Sequence, residues 1–534
     1  MNAPQQPTNR VGDRPLPKTI STGRKWLIAT TVMLGAFLSV MDVSVVNVAL
    51  PHMMGSFGQT LSAITWVATS YSLAEIIMIT MAGWWSTLVG RKRFYLGSIA
   101  LFIAGSILSG TARTFPELLI FRCLQGIGGG GLIPVSQAIL RETFPAEEQG
   151  MAMSIFGMGV VLGPALGPVV GGWLTDQYGW PWIFYINVPI SILGFFMVSL
   201  FVEDPLYLRR GLKQIDWVGI GLLTIGLTIM QVVLERGQEN NWFESGWIAA
   251  GAVITAAALV GLLFWDVRSK EPVVNFRLLR DLPLGAGCSM GLVFGITFFG
   301  TTFSVPALLQ NMLGYPAYEA GLVLLPRGVS LFLLLPVVGW LYNKVDPRIL
   351  LMIGIALVYS AYQKIAYLSA DLDFWTLAIP LLIMGAGMPF MFVTMTTVSL
   401  STIEPKDMTT ASGLYTLGRR VGGNIGYALT ATLVDRRFTS HRTRLLEHIN
   451  ILNPTFGGMH AGLSAQMIRR GFDPVTAQRK ALALIDRLVS RQATMMAYND
   501  VSWIFGVMLI AILPLILLFP GRRSKARGIK EVPL

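Results

Sequence analysis

Long apolar runs alternate with short polar connectors along almost the whole chain. Fourteen of these runs are long enough to cross the hydrocarbon core of a bilayer, which needs about 20 helical residues. We therefore predict an all-α polytopic membrane protein. The predicted spans are residues 26–50, 62–89, 94–112, 116–141, 148–175, 181–202, 215–234, 246–266, 283–311, 318–343, 348–369, 374–400, 407–434 and 501–520.

Three sequence patterns of the first half recur, in the same order, in the second half. Gly83–Lys92 is echoed by Gly339–Arg348, Gly126–Gly128 by Gly385–Gly387, and Pro145–Gly163 by Pro405–Gly423, each 256 to 260 positions later. This order predicts two homologous six-helix halves, with chance matches between common membrane glycines as the alternative. Parallel repeats of this kind build secondary transporters, whose substrate path lies between the halves.

The repeat divides the chain into five predicted parts. They are a cytoplasmic tail (1–25), a six-helix half (26–203), two inserted transmembrane helices with their linkers (204–282), a second six-helix half (283–520) and a second tail (521–534). Lysine and arginine gather in the connectors on the side of the two termini, whereas the short connectors opposite hold only Arg113 and Arg236. This bias predicts that both termini are cytoplasmic.

The composition agrees with a membrane protein, because 53% of the residues are hydrophobic and only 13% are charged. The net charge of +12 comes from the connectors, so it does not indicate nucleic-acid binding. Cys123 and Cys288 lie in separate apolar runs, and no disulfide framework is expected. The four histidines lack metal-ligand spacing, and no phosphate-binding loop is present. We predict no enzyme, metal or cofactor, and an ion gradient as the energy source.

One connector on the outer side is long. Residues 435–500 are rich in arginine, but long loops translocate largely regardless of charge, so they do not overturn the topology. Asp473-Pro474 is a good helix start, and apolar residues between Leu482 and Met495 fall on one stripe. We predict an amphipathic periplasmic helix that docks a partner protein, lies on the bilayer or leads into the last span.

Asp42 is the single carboxylate of the first predicted span. A charge at such depth costs about 2.5–3.5 kcal/mol on insertion scales, so it normally faces a partner or water. Arg122 lies at a similar depth, about 9–12 Å below the outer surface at ~1.5 Å per residue, and can reach it. Releasing a carboxylate from such a pair raises its affinity for a proton. We predict that Asp42 and Arg122 take part in proton coupling; a structural or snorkelling Asp42 is the alternative.

Further charges lie within the predicted spans. Glu75, near the midplane of the second span, is a second proton-coupling candidate that could instead attract cationic drugs or form a neutral bond between helices. Arg327 in the tenth span is a candidate for anionic cargo or a counter-charge, with a structural pair equally open. Arg419 and Arg420 have no evident acidic partner within the spans of the second half.

Aromatic and methionine side chains suit a deformable, polyspecific cavity, because cation–π and thioether contacts tolerate varied ligands. Most such residues in a helix bundle only pack. Our candidates for the substrate cavity, together with Arg327, are Trp66, Tyr71, Phe156, Phe303, Met395 and Tyr415.

Five stretches carry motifs in a fixed order. They are Met41–Pro51, Gly83–Arg93, Phe121–Gly128, Gly163–Gly172 and Trp180–Pro189. This series resembles the major facilitator superfamily, specifically the EmrB/QacA type of fourteen-span drug:proton antiporter, over nearly the whole chain. One departure is that Thr87 and Leu88 replace the acidic residue of the superfamily loop and the arginine after it, which puts the loop's charge relay in doubt.

The resemblance implies conformational roles for the loop and for the glycine-rich helices. Glycines allow close backbone approach and prolines can bend a helix, as a seam between moving halves requires. The residues concerned are Gly83, Gly90, Arg91, Lys92, Gly126, Gly163, Pro164, Gly167, Pro168 and Gly171. Plain positive-inside topology for the loop and plain close packing for the helices are the alternatives.

We expect this protein to export amphiphilic, often cationic or lipophilic drugs across the inner membrane in exchange for protons. The resemblance also implies contacts with membrane lipids, a periplasmic adaptor and an outer-membrane channel. The alternatives are export of a single endogenous metabolite, lipid or siderophore, and a receptor or scaffold that has the fold without transport.

Overall fold

The computed structural model describes residues 21–204, 215–269, 271–315, 317–370, 373–450 and 453–521. The outer parts of both predicted tails and the linker at 205–214 lie outside these residues. The regular elements within them are helices. Those of the first half are α1 (Thr22–Phe57), α2 (Leu61–Ile64), α3 (Trp66–Val89), α4 (Arg91–Thr111), α5 (Phe115–Thr143), α6 (Gln149–Tyr178), α7 (Trp182–Tyr185) and α8 (Asn187–Phe201).

The inserted pair and the second half follow in chain order. The inserted helices are α9 (Trp217–Arg236) and α10 (Gly246–Arg268). The second half comprises α11 (Leu282–Leu313), α12 (Ala317–Leu322), α13 (Leu325–Tyr342), α14 (Pro347–Ala366), α15 (Phe374–Ser399), α16 (Met408–Glu447), α17 (Pro454–Arg469) and α18 (Pro474–Ala511).

A helix occupies each of the fourteen predicted spans. Among the described residues, twelve helices are long and apolar enough to cross a membrane, and a bent span makes thirteen. The bend is in α6, where the segments Gln149–Pro164 and Val169–Tyr178 are inclined by 41°. Pro164 lies at this break, where it removes a backbone donor. The remaining predicted span is the first part of α16, whose threonines, glycines and arginines lower its hydropathy; it packs along α11.

At one end of the bundle, which we call the closed end, the two halves touch. This end is where α1 and α6 begin, and Lys25 Nζ donates a hydrogen bond to the Glu148 carboxylate there. α6 contacts α13, and α3 contacts α16. A Cβ atom built on Gly150 would lie 2.8 Å from the carbonyl oxygen of Gly339, so these backbones meet without intervening side chains. The path between the halves is therefore shut at the closed end.

The inserted hairpin contacts both halves of the bundle. On one side, Thr69 Oγ1 of α3 donates a 2.5 Å hydrogen bond to Glu235 of α9. On the other side, Asn424 Nδ2 of α16 donates to Gln231 Oε1 of α9. Polar pairs between membrane helices add specific contacts where apolar packing alone is weakly selective. The hairpin is thus joined by side chains to each half and is more than a linker between them.

The segment 435–500 is mostly helical and leads directly into the last span. α16 continues as far as Glu447, and α18 runs unbroken from Pro474 to Ala511. Asp473 caps α18: a hydrogen bond from the Thr476 side chain and bonds from the backbone N–H groups of Thr476 and Val475 hold the pKa of Asp473 below its usual range. The predicted amphipathic helix is therefore the first part of a long terminal helix.

Candidate functional site

A cavity of about 680 Å³ lies between the halves. Its lining includes His52 near the end of α1 and Asp176 near the end of α6, both well exposed, so it opens opposite the closed end. Most of the lining is apolar and comes from α1, α5, α6, α11, α13 and α15. The charged residues deeper in the cavity are Glu75, Arg327, Arg419 and Arg420.

Asp42 lies in a buried polar cluster in the first half. Its Oδ2 atom accepts a 2.6 Å hydrogen bond from Arg122 Nη1, and its Oδ1 atom accepts bonds of 2.8 Å from both Gln125 Nε2 and Asn187 Nδ2. The side chains of Asp42 and Arg122 are both 0% exposed. Ser106 Oγ completes the cluster as a second acceptor for the Gln125 amide. The predicted contact between Asp42 and Arg122 is present.

Helix geometry explains how the cluster is assembled. Arg122 and Gln125 are three residues apart on α5, so both project toward α1. The Arg122 guanidinium lies 4.4 Å from the ring centre of Tyr71 and 5.5 Å from that of Phe184, and Nε donates to the Val67 carbonyl. Cation–π contacts and charge-assisted hydrogen bonds both favour the charged guanidinium in this apolar place.

Gln125 and Asn187 are functional candidates that our sequence reasoning did not select. Both belong to stretches that carry the family resemblance, Phe121–Gly128 and Trp180–Pro189. Their amide groups each donate to Asp42 Oδ1 and so help to hold its carboxylate. An uncharged amide gives a weaker signal in a sequence than a charge within an apolar run, although its place in a motif was available as a clue.

Glu75 is the carboxylate in the deep part of the cavity, and it joins the two halves. Its Oε2 atom forms an ion pair with Arg420 Nη2 of α16, while Oε1 accepts a 3.1 Å hydrogen bond from Ser39 Oγ of α1. The Glu75 side chain is 2% exposed and that of Arg420 is 21% exposed. The sequence offered no partner for Arg420 within its own half, and the structure supplies one from the other half.

Arg327 and Arg419 also line the cavity, but neither pairs with a carboxylate among the described residues. Arg327 Nη2 donates a 2.8 Å hydrogen bond to Thr302 Oγ1, and its guanidinium lies 5.0 Å from the Phe298 ring centre. The guanidinium of Arg419 lies 5.3 Å from the ring centre of Phe392. Both arginines are less than one-tenth exposed.

The other predicted cavity residues lie outside the cavity lining in this conformation. Four of them, Tyr71, Phe156, Met395 and Tyr415, are fully packed in the bundle. Trp66 stacks with Arg236 of the inserted hairpin. Phe303 is 44% exposed and lies on a smaller surface recess near Tyr427. Side-chain type alone did not reveal which face of each helix turns inward.

The glycines of α6 and α5 lie at close helix contacts. A Cβ atom on Gly163 would lie 2.8 Å from the backbone nitrogen of Met41, and Gly167 and Gly171 face Ser44 and Val45 in the same way. Gly126 packs on the α3 backbone at Tyr71. Pro164 lines the cavity, whereas the side chain of Pro168 lies outside the described residues. This seam places α6 directly against the helix that carries Asp42.

The loop between α3 and α4 lies at the closed end. Gly83 packs on Thr410 of the second half, and Gly90 has a φ of +93°, a conformation that favours glycine. Arg91 pairs with Glu142 of α5. The backbone N–H of Lys92 donates a 2.6 Å hydrogen bond to Asp204, and its Nζ donates to the Ser199 carbonyl. These contacts tie the loop to the end of α5 and to the end of α8, with Thr87 and Leu88 outside the pairing.

Known proteins resemble this chain in sequence and in fold. A sequence model of the Major Facilitator Superfamily matches residues 32–427. The multidrug export protein EmrB of Haemophilus influenzae is 32% identical over 495 residues, which cover 92% of this chain and 95% of that protein. The fatty acid resistance protein FarB of Neisseria gonorrhoeae is 30% identical, again over 92% of this chain and 95% of the relative.

A solved structure agrees at the level of the fold. The proton:xylose symporter XylE aligns with a TM-score of 0.59 at 14% identity, covering 94% of this chain and 97% of XylE. The sequence matches extend over the cavity and the Asp42 cluster, and the predicted superfamily and fold class are confirmed. This polytopic membrane chain belongs to the Major Facilitator Superfamily and, within it, to the EmrB type of multidrug transporters.

Proposed function

We propose that this protein exports amphiphilic small molecules across the inner membrane and that Asp42 carries the proton exchanged for them. The observation that carries the proposal is the Asp42 cluster, a carboxylate fully shielded from the cavity and held by Arg122, Gln125 and Asn187. Burying such a pair costs desolvation energy that apolar residues would not, so it is weak evidence for stability alone. A charge kept at this depth is better explained by a functional role.

Proton coupling requires that the Asp42 cluster differ between two conformations. Three donors hold the carboxylate when the helices are arranged as here. A rearrangement that withdraws Arg122 would leave the carboxylate without its counter-charge, and proton binding would then become favourable. Because Asp42 lies behind the cavity wall, the proton and the cargo compete through the conformation of the helices rather than for one site. Because α6 contacts α13 of the second half and packs closely on α1, it connects the helix that carries Asp42 to the second half.

The orientation that supports export places the closed end at the cytoplasm. The excess of lysine and arginine on the side of the termini favours this orientation, with both termini cytoplasmic. The cavity then faces outward, which is the conformation from which cargo leaves. The relatives are named for multidrug export and for fatty acid resistance, which supports export of varied amphiphiles over a single metabolite.

Transport by purified protein in proteoliposomes tests this function. An imposed pH gradient is expected to drive accumulation of a lipophilic dye several-fold above protein-free liposomes, because proton flow supplies the energy. A protonophore that collapses the gradient is the control, and it should remove the accumulation. Gradient-independent binding without flux would contradict the proposal and favour a receptor. Saturable transport of one compound, with no competition among unrelated amphiphiles, would instead favour a metabolite exporter.

We extend the proposal to a periplasmic adaptor and an outer-membrane channel as partners. The segment 435–500 supports this, because Leu482 and Leu488 of α18 are each 47% exposed although they belong to its apolar stripe. Replacing both by serine is expected to reduce co-purification of the adaptor about tenfold while transport in proteoliposomes is unchanged. The matched control is Ile485→Ser, which alters the buried side of the same helix. Undiminished co-purification of the Leu482→Ser/Leu488→Ser protein would remove this surface from consideration.

A further inference from the structure

The two walls of the cavity differ sharply in charge. The wall from the second half carries Arg327 on α13 and both Arg419 and Arg420 on α16. The facing wall from the first half is mostly apolar, with Val40, Ile79, Ile133, Val160 and Val161 among its residues. Glu75 is its deep carboxylate, and that carboxylate already pairs with Arg420. Two buried positive charges therefore face the cavity without a carboxylate partner from the described ranges.

Arg327 and Arg419 are fixed in place by uncharged groups. Thr302 and the Phe298 ring orient the guanidinium of Arg327, and the Phe392 ring supports that of Arg419. Arg327 Nη1 has no hydrogen-bond partner among the described residues. Buried charges are normally paired, because an isolated charge in a region of low polarity is costly. A bound anion would supply the missing counter-charge and accept hydrogen bonds from the guanidinium groups.

The backbone beside Arg327 adds to the positive potential. The tenth span is broken between Leu322 and Leu325, and both of these residues line the cavity. α13 therefore begins at the cavity and directs its N-terminal end toward it. The N-terminus of a helix carries a partial positive charge, and broken membrane helices use such ends to hold anionic groups of substrates. Arg327, in the first turn of α13, strengthens this effect.

We propose that the preferred cargo of this cavity is an amphiphilic organic anion. Its anionic head, a carboxylate, sulfonate or similar group, binds between Arg327 and Arg419, and its apolar body lies along the wall from the first half. This inference rests on the proposed export function and specifies the substrate class of the same cavity. It reverses the sequence-based expectation of often cationic cargo, because Glu75, the carboxylate that was to attract cations, is occupied by Arg420.

Anionic cargo also bears on the choice of proton site. A proton bound to Glu75 would be favoured by a neighbouring anion, so cargo and proton would bind this part of the cavity together. Antiport requires the opposite, namely that binding of the cargo disfavours binding of the proton. Asp42 avoids the conflict, since its side chain is shielded from the cavity and is held by groups that do not line it.

A matched pair of probes tests the inference. Decanesulfonate and decyltrimethylammonium have the same apolar tail and opposite charges. Equilibrium dialysis against the protein in nanodiscs, with empty nanodiscs as the blank, measures binding of each probe without any gradient. We expect decanesulfonate to bind at least tenfold more tightly than decyltrimethylammonium. Tighter or equal binding of the cation would overturn the inference, whether or not the protein transports either probe.

Variants of the two arginines locate the site. Arg327→Gln and Arg419→Gln are each expected to weaken decanesulfonate binding on the order of 10- to 100-fold, since each removes a charge-assisted contact. Arg479→Gln removes the same charge from an exposed position on α18 and should change nothing. Arg327→Lys keeps the charge and should retain part of the affinity, which separates loss of charge from misfolding. Unchanged binding by both glutamine variants would exclude the proposed site.

Flux measurements distinguish failure of this inference from failure of the export function. Gradient-driven flux of decanesulfonate that is impaired by Arg327→Gln would support both. Gradient-driven flux of the cation alone would uphold export and overturn the anion site. Binding of decanesulfonate without any gradient-driven flux would uphold the anion site and contradict export.

Discussion

Asp42→Asn protein is expected to bind cargo normally but to lose proton-driven transport, down to the level of protein-free liposomes. Asparagine keeps the shape and one acceptor oxygen of the side chain but cannot take up and release a proton. The dependence of transport on external pH should disappear together with the net flux. Transport by reconstituted protein, measured across a series of imposed pH gradients, checks this result. The matched control is Asp176→Asn at the open mouth of the cavity, which should leave the pH dependence intact.

Stability is the main complication of the Asp42 test. Removing one partner of a buried ion pair typically costs about 3–5 kcal/mol, because the other charge is left uncompensated. Asp42→Asn/Arg122→Gln protein removes both charges, so it should be more stable than the single variant and equally inactive. Proton-driven transport by this folded double variant would disprove the role of Asp42. Such transport would also show that the single variant had failed only through instability.

Glu75→Gln and Arg420→Gln are each expected to destabilise the arrangement in which the closed end is shut, and to slow transport. Each variant breaks an ion pair that joins α3 of one half to α16 of the other. Because Arg420 is 21% exposed, we expect a coupling energy of about 1–2 kcal/mol rather than the full value for a dry pair. Denaturant unfolding of both single variants and the double variant, combined in a double-mutant cycle, measures it.

The conformational effect of this pair has a separate measurement. Spin labels at the open ends of α1 and α11 report the distance between the halves there, and Glu75→Gln should broaden or shift the distribution seen for the wild type. Ser39→Ala removes the other bond to Glu75 without touching the ion pair, so it serves as the matched control. A coupling energy near zero, with an unchanged distance distribution, would mean that the pair does not hold the halves together.

The architecture was largely predictable from local patterns in the sequence. Apolar runs of membrane-spanning length gave the helix at each predicted span, because the bilayer requires length and hydropathy that a short window reveals. The internal repeat predicted the two halves. The predicted span at 407–434 is the least apolar of the fourteen, and the first part of α16 occupies it. The interruption of the tenth span before Pro326 was not predicted, since a break of two residues hardly changes the apolar pattern.

The contacts of the candidate site were predictable from the sequence only where the depth of two residues in the membrane was enough to show that they meet. Asp42 and Arg122 share a depth in neighbouring helices, and counting residues from the outer ends was enough to expect their contact. Which face a residue occupies depends on the rotation of its helix, which changes by about 100° per residue and cannot be read from uncertain span ends. Tyr71 and Met395 were therefore placed in the cavity by side-chain type but are buried against other helices.

By itself the sequence determined the membrane-spanning helices, the two related halves, the inserted pair and the deep charge at position 42, because hydropathy, repetition and a charge within an apolar run are properties of local sequence. The tertiary structure alone decided that Glu75 meets Arg420, 345 positions away, and that Arg327 and Arg419 face the cavity without a carboxylate partner in the part of the chain that the structure describes. Such pairings depend on how one half docks against the other, and no local pattern carries that information.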